Sequence, residues 1–152
     1  MPARVDLVGA MIERTLALPE TAALVSKRVS ARLRVKSQTD PNGWTMPDYA
    51  IVWRKVPGPT GPRHGTVAVS QVPLQYECYG PDLRRADELA RTLLGELFPE
   101  PPDAQGFRSP SNGCVVFDLQ EMGAGAPLME SATDLPRVVG TLFVRYLERA
   151  AA

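Results

Sequence analysis

Histidine occurs once in this sequence, at His64, and cysteine only twice, at Cys78 and Cys114. A single histidine excludes a His-rich metal site, and the local sequence around His64 places no Ser, Cys or carboxylate to pair with it as a catalytic triad. The two cysteines are 36 residues apart, each in an apolar strand-like context, with no second Cys or His at a metal-ligand spacing. They read as buried reduced thiols. Long hydrophobic runs are also missing. No stretch approaches the ~18 apolar residues of a membrane span, and Met1–Asp6 opens no signal-peptide hydrophobic region, so the expectation is a soluble protein of a cytosol-like compartment. No G-x-x-x-x-G-K-[ST] phosphate loop occurs, and Gly123-Ala124-Gly125-Ala126-Pro127 matches a dinucleotide fingerprint only superficially because no long helix opens after it.

Net charge is zero, but its distribution is uneven. Residues 1–64 carry ten Lys/Arg against five Asp/Glu, and residues 65–152 carry seven against twelve. Opposite potentials on two surfaces suit head-to-tail packing of copies, although intramolecular pairing would account for the division equally well. The abundant residue is proline: 15 of 152, against about 5% in average usage. Nearly all fall between the periodic segments, so the loops are long and partly stiffened. A chain of this length buries roughly 68–70% of the surface its unfolded form exposes, enough for one core in one domain spanning residues 1–152.

The periodicity sets out the elements. Val5, Val8, Ile12, Thr15 and Leu16 recur at helical spacing, predicting a helix over residues 4–17, and "PETAALV" (Pro19–Val25) opens a second, short helix with proline at its first position. Val29–Lys36 alternates strictly, which predicts a half-buried strand whose outer face carries Arg32, Arg34 and Lys36. That cationic stripe is the best binding feature, able to meet phosphate or an acidic surface. It lacks the interleaved aromatics of a single-strand nucleic-acid binder.

Tyr49–Val56 and Thr66–Tyr79 read as two strands of a long antiparallel hairpin around the stiff turn Pro57–Gly65. Pro73 has no N–H to donate, so its strand is at an edge or bulged there. Within "VPLQYECYGPDLRRADELA" (Val72–Ala90) the period changes from two to about three and a half, so a strand joins a helix through Gly80-Pro81. Leu83, Ala86, Leu89, Ala90, Leu93, Leu94 and Leu97 form that helix's apolar face, with Pro81 in its first turn and Pro99 limiting its end. Cys114–Met122 and Arg137–Arg149 are further strands, flanked by loops over Pro99–Gly113 and Gly123–Pro136. The order α-α-β-β-β-α-β-β specifies an α+β fold: a mainly antiparallel β-sheet with a long β-hairpin and helices packed on one face. Glu77 and Asp118 stand on strands, where acids are ordinarily solvated; they could act as a general acid/base pair only if adjacent.

Four stretches, "LALPETAALVSKRV" (Leu16–Val29), "MPDYAIVW" (Met46–Trp53), "VPLQYECYGPDLRRADELARTLLGEL" (Val72–Leu97) and "LPRVVGTLFVRYL" (Leu135–Leu147), cover most of the chain. In kind and order they resemble the tail-completion, or tail-terminator, proteins of long-tailed bacteriophages and phage-like gene transfer particles. The resemblance is one of pattern rather than of an active-site signature. It implies a structural virion protein, assembled in the host cytoplasm, that forms a homo-hexameric ring at the head-proximal end of the tail. Its partners would be further copies of itself, the tail tube protein and a head–tail connector or stopper protein, with DNA only passing through the lumen. It implies no enzymatic activity, cofactor, metal or membrane. The candidate contacts between subunits or rings are Arg32, Arg34 and Lys36, with Pro59, Thr60, Arg63 and His64 of the hairpin turn. A portal-side connector in the neck is the nearest alternative. A small enzyme or ligand-binding domain recruiting Glu77, Asp118, His64 and the Gly123–Pro127 loop is the more distant one.

Overall fold

A computed structural model describes residues 6–56, 69–100, 106–111, 113–122, 126–129 and 135–147. Helix α1 (Leu7–Leu16) starts at Asp6, whose side chain accepts a hydrogen bond from Gly9 N at 2.8 Å, satisfying one of the free donors of the first turn. It buries Leu7, Ala10, Met11 and Thr15, leaving Val8 and Ile12 half-buried and Leu16 exposed. The apolar face is thus rotated from the one the sequence suggests, with Thr15 common to both: its Oγ1 accepts from Trp53 Nε1 at 3.0 Å and donates to Met11 O at 2.7 Å.

Helix α2 (Pro19–Val25) has Pro at its first position and no side-chain cap of its own. Its cap comes from a distant residue. Glu96 accepts from Glu20 N at 3.2 Å and from Thr21 N and Oγ1, both at 2.6 Å, placing a carboxylate where the helix dipole favours one.

Three long strands form the sheet's centre: β2 (Ala50–Lys55), β3 (Val69–Tyr79) and β7 (Pro136–Leu147). β2 and β3 are the antiparallel hairpin, in register from Ala50↔Tyr79 to Lys55↔Leu74, and β3 pairs with β7 from Val69↔Leu147 to Tyr79↔Arg137. Pro73 lies just past the last β2 pair, where its carbonyl accepts from Val56 N at 3.3 Å, so its missing donor falls at the end of the β2 ladder. The outer strands are β1 (Val29–Ser30), β4 (Phe107–Arg108), β5 (Val115–Glu121) and β6 (Ala126–Met129). The sheet order is β1-β2-β3-β7-β5-β4, and only β1·β2 is parallel.

Two loops expected from the sequence contain strands. β5 covers β7 from Leu142 to Tyr146, and β6 continues along the same edge from Pro136 to Val139. The remaining length of β7 recruits Ala126–Met129, a segment with no alternation of its own, and Pro127 is tolerated because an edge strand need not donate on both sides. Phe107–Arg108 likewise pairs with Val115–Val116. A register shift between Val116 and Asp118 leaves Phe117 as the extra residue of a bulge, exposed to solvent.

The strand expected over Val29–Lys36 ends after Ser30. The chain then leaves the sheet, and Val35 makes only an isolated bridge to Trp44. Two interactions outcompete continued pairing. Arg34 forks onto Asp40 at 3.2 and 3.0 Å, and Leu33, Trp44 and Met46 pack on a small cluster of Ala50, Val52, Tyr79 and Leu135.

At the join after β3, α3 (Leu83–Leu97) opens with Asp82 as cap, accepting from Arg85 N at 2.8 Å. Pro81 therefore precedes the cap instead of occupying the first turn. Gly80 makes the corner possible: a Cβ there would lie 2.5 Å from Ala86 N and 2.8 Å from the Arg85 carbonyl carbon. The helix folds back so that Ala86, Leu89, Ala90, Leu93 and Leu97 are buried, with Leu94 half-buried and Leu83 exposed. It packs against β3, β7 and α2. The main core lies between the helices and one sheet face, where Trp53 and Tyr76 meet edge to face at 6.0 Å and Tyr76 lies over Gly140, whose Cβ would overlap the phenol ring. Both cysteines are buried thiols outside any disulfide. Burial raises the Cys78 thiol pKa and pushes that of Cys114 to about 11.

Candidate functional site

The cationic stripe does not survive as a stripe. Arg32 and Lys36 are exposed, but they flank a loop, and Arg34 is half-buried and held by Asp40. With β1 only two residues long, the three side chains do not share one strand face. Pro59, Thr60, Arg63 and His64 lie outside the described residues, as do Gly123–Gly125 of the Gly/Ala loop.

The most organised polar group is on the sheet face away from the core. Glu77 is 2% exposed, buried where a strand-face acid was expected to be solvated. Arg137 Nη1 donates to its Oε1 at 2.7 Å and Gln75 Nε2 to the same oxygen at 3.0 Å, while Arg54 Nε and Tyr79 Oη donate to Oε2 at 3.3 and 3.2 Å. Four donors on one carboxylate are what a buried charge requires. Burial, and then the neighbouring Glu77 charge, push the Tyr79 phenol pKa up to about 12.

As a catalytic pair, Glu77 and Asp118 fail on geometry. Glu77 is opposite Val139 whereas Asp118 is opposite Arg145, six residues further along β7, or about 20 Å at the usual rise per residue. Among the described residues no group of three or more His, Cys, Asp and Glu could hold a metal ion, and no helix is long and apolar enough to cross a membrane.

Beyond Glu77 this face carries half-buried Gln71, Gln75, Val139, Thr141 and Phe143 and exposed Arg145. It offers hydrogen-bonding groups interleaved with apolar ones, the mixture found at protein contacts. The Glu77 cluster joins residues from β2, β3 and β7, and Arg137 is 60 positions from Glu77. Its sequence signal is an acid and an arginine at positions of long strands that alternate away from the core. No protein-family model matches the chain, and no curated protein matches it.

Proposed function

We propose that this protein is a structural component of a phage or phage-like particle. It forms a ring, a homo-hexamer, at the head-proximal end of the tail, where it terminates the tail tube and joins tail to head. Its contacts are with copies of itself, with the tail tube protein and with a connector or stopper on the head side, and DNA passes only through the lumen. In this reading it is not an enzyme, and it resides in the virion neck after assembly in the host cytoplasm.

One observation carries the reading. The four stretches that bear the resemblance, although dispersed along the chain, converge on one body. Met46–Trp53 enters β2, Val72–Leu97 supplies β3 and α3, Leu135–Leu147 supplies β7, and Leu16–Val29 supplies α2. β2, β3 and β7 are adjacent in the sheet, with α3 against β3 and β7 and α2 against α3. A sheet covered by helices on one face, with a mixed polar and apolar surface on the other, suits a subunit packed against neighbours.

The test is complementation. A particle lineage lacking this protein should accumulate unjoined heads and tails, visible by electron microscopy, and the wild-type chain should restore joined particles. Normal joining in its absence would refute the proposal.

A further inference from the structure

Residues from α1 and its C-cap, from β4 and from the turn after it line a small, partly open cavity of about 140 Å³: Ala10, Glu13, Arg14, Ala17, Phe107, Arg108, Ser109 and Pro110. We infer that it is a carboxylate-recognition site, and that Arg14 is its principal donor. The inference does not depend on the proposed function.

Three features point to that chemistry. The first is an unused donor: Arg14 Nε is buried and has no hydrogen-bond partner among the described residues, a condition that native structures rarely leave unmet. The second is orientation. The Arg14 guanidinium lies over the Phe107 ring, 5.4 Å from its centroid, which holds the planar fork in place before any ligand arrives. The third is the balance of charge. Arg14 and Arg108 line the cavity with one acid, Glu13, whose oxygens already accept from Ser109 Oγ at 2.9 Å, from Ser111 N at 3.3 Å and from Ser111 Oγ. Those bonds, the Ser111 hydroxyl first, hold the Glu13 pKa below the usual carboxylate range, so it remains an anion and, among the described residues, the lining carries two cations against one anion.

Size narrows the ligand. At roughly 30 Å³ per water, the volume holds about four or five water-sized groups: a carboxylate on a short aliphatic arm. Ala10, Ala17 and Pro110 offer the arm apolar walls, while an arginine fork matches the two oxygens. Such a group could be a free short-chain acid or the tip of an acidic side chain on a second protein chain.

The experiment is a titration of the isotopically labelled full chain with sodium propionate, followed by NMR at the Arg14 Nε–H and at Ala10, Ala17 and Phe107, with sodium chloride as the ionic-strength control. Saturable shifts confined to these residues are expected, in the millimolar range. Arg14→Met should weaken binding about tenfold or more, the loss expected for a charge-assisted hydrogen bond. Ala17→Leu, which fills the cavity from an exposed position and leaves both arginines intact, should weaken it comparably, while Arg84→Met, at an exposed position of α3, should leave it unchanged. If Arg14→Met fails to fold, Ala17→Leu still decides the matter. Drift no different from that in sodium chloride, or saturable shifts that persist in Ala17→Leu, would overturn the inference. A second arm separates the sources: dissociation of self-associated protein by propionate assigns the site to an acidic side chain of another copy, and propionate binding with self-association unaffected assigns it to a free acid.

Discussion

On the helix-covered face of the sheet, Trp53, Leu74, Tyr76, Leu142 and Val144 are fully enclosed by α1, α2 and α3. On the opposite face of the same strands, Ala50, Val52 and Tyr79 are covered by the loop bearing Leu33, Trp44 and Met46, and the rest is a mixed polar and apolar surface organised around Glu77. Both faces come from one alternation along β7, where even-numbered residues from Val138 to Tyr146 are buried and the odd-numbered ones are half-buried or exposed. The difference shows that a single sheet divides stability from presentation. Apolar burial holds the body together on one side, and hydrogen-bonded charge fixes a surface on the other.

The largest effect that would break this comparison is on the enclosed face. Leu93→Ala removes a side chain buried between α3 and the sheet and should cost about 2–5 kcal/mol, read as a lower denaturant midpoint; an unchanged midpoint would mean that α3 does not seal the core. On the other face, Glu77→Ala strips the shared acceptor from Arg137 and Arg54. Breaking a buried ion pair costs about 3–5 kcal/mol, but Arg54 is 46% exposed and can rehydrate, so about 2–3 kcal/mol is expected. A double-mutant cycle with Arg137→Ala should show coupling of about 0.5–3 kcal/mol; simple additivity would reduce the cluster to separate contacts.

Alkaline pH tests the enclosed face without mutation. The Cys78 and Cys114 thiols and the Tyr76 phenol have folded pKa values above their ordinary ones, chiefly through burial. The folded state therefore keeps protons that the unfolded state releases, and stability is complete below about pH 9 and declines as pH rises toward 11. Each retained proton contributes a slope of about 1.4 kcal/mol per pH unit. A thermal midpoint constant across that window would contradict the burial of these groups. The smallest effect is Arg34→Ala: its pair with Asp40 is partly exposed and screened by solvent, so the denaturant midpoint should move less than in Leu93→Ala or Glu77→Ala, with the sheet intact by circular dichroism.

Long, self-sufficient elements were legible in the sequence. α3 declares itself through its leucine spacing and Pro99 beyond its end, and β7 lies within the strand expected over Arg137–Arg149. Val29–Lys36 alternates strictly and still fails as a strand after Ser30, because alternation specifies two faces but not a partner edge, and Asp40 and Trp44 offered Arg34 and Leu33 better company. β6 has the converse history. Ala-Pro-Leu-Met has no strand signal, and it pairs because β7 outruns β5. The same limit hid the two polar sites. Glu77 meets Arg137 across 60 positions and Glu13 meets Ser109 across 96, so each became a site only when the topology brought distant strands and helices together.

The central functional claim is that this body is one subunit of a ring at the junction of head and tail. Electron microscopy of purified particles carrying a labelled copy of the chain tests it most directly. Label is expected at the neck, between the last ring of the tail tube and the head, with sixfold symmetry in averaged images of isolated necks. Label dispersed elsewhere in the particle, or a protein that is absent from it and strictly monomeric at high concentration, would contradict the claim.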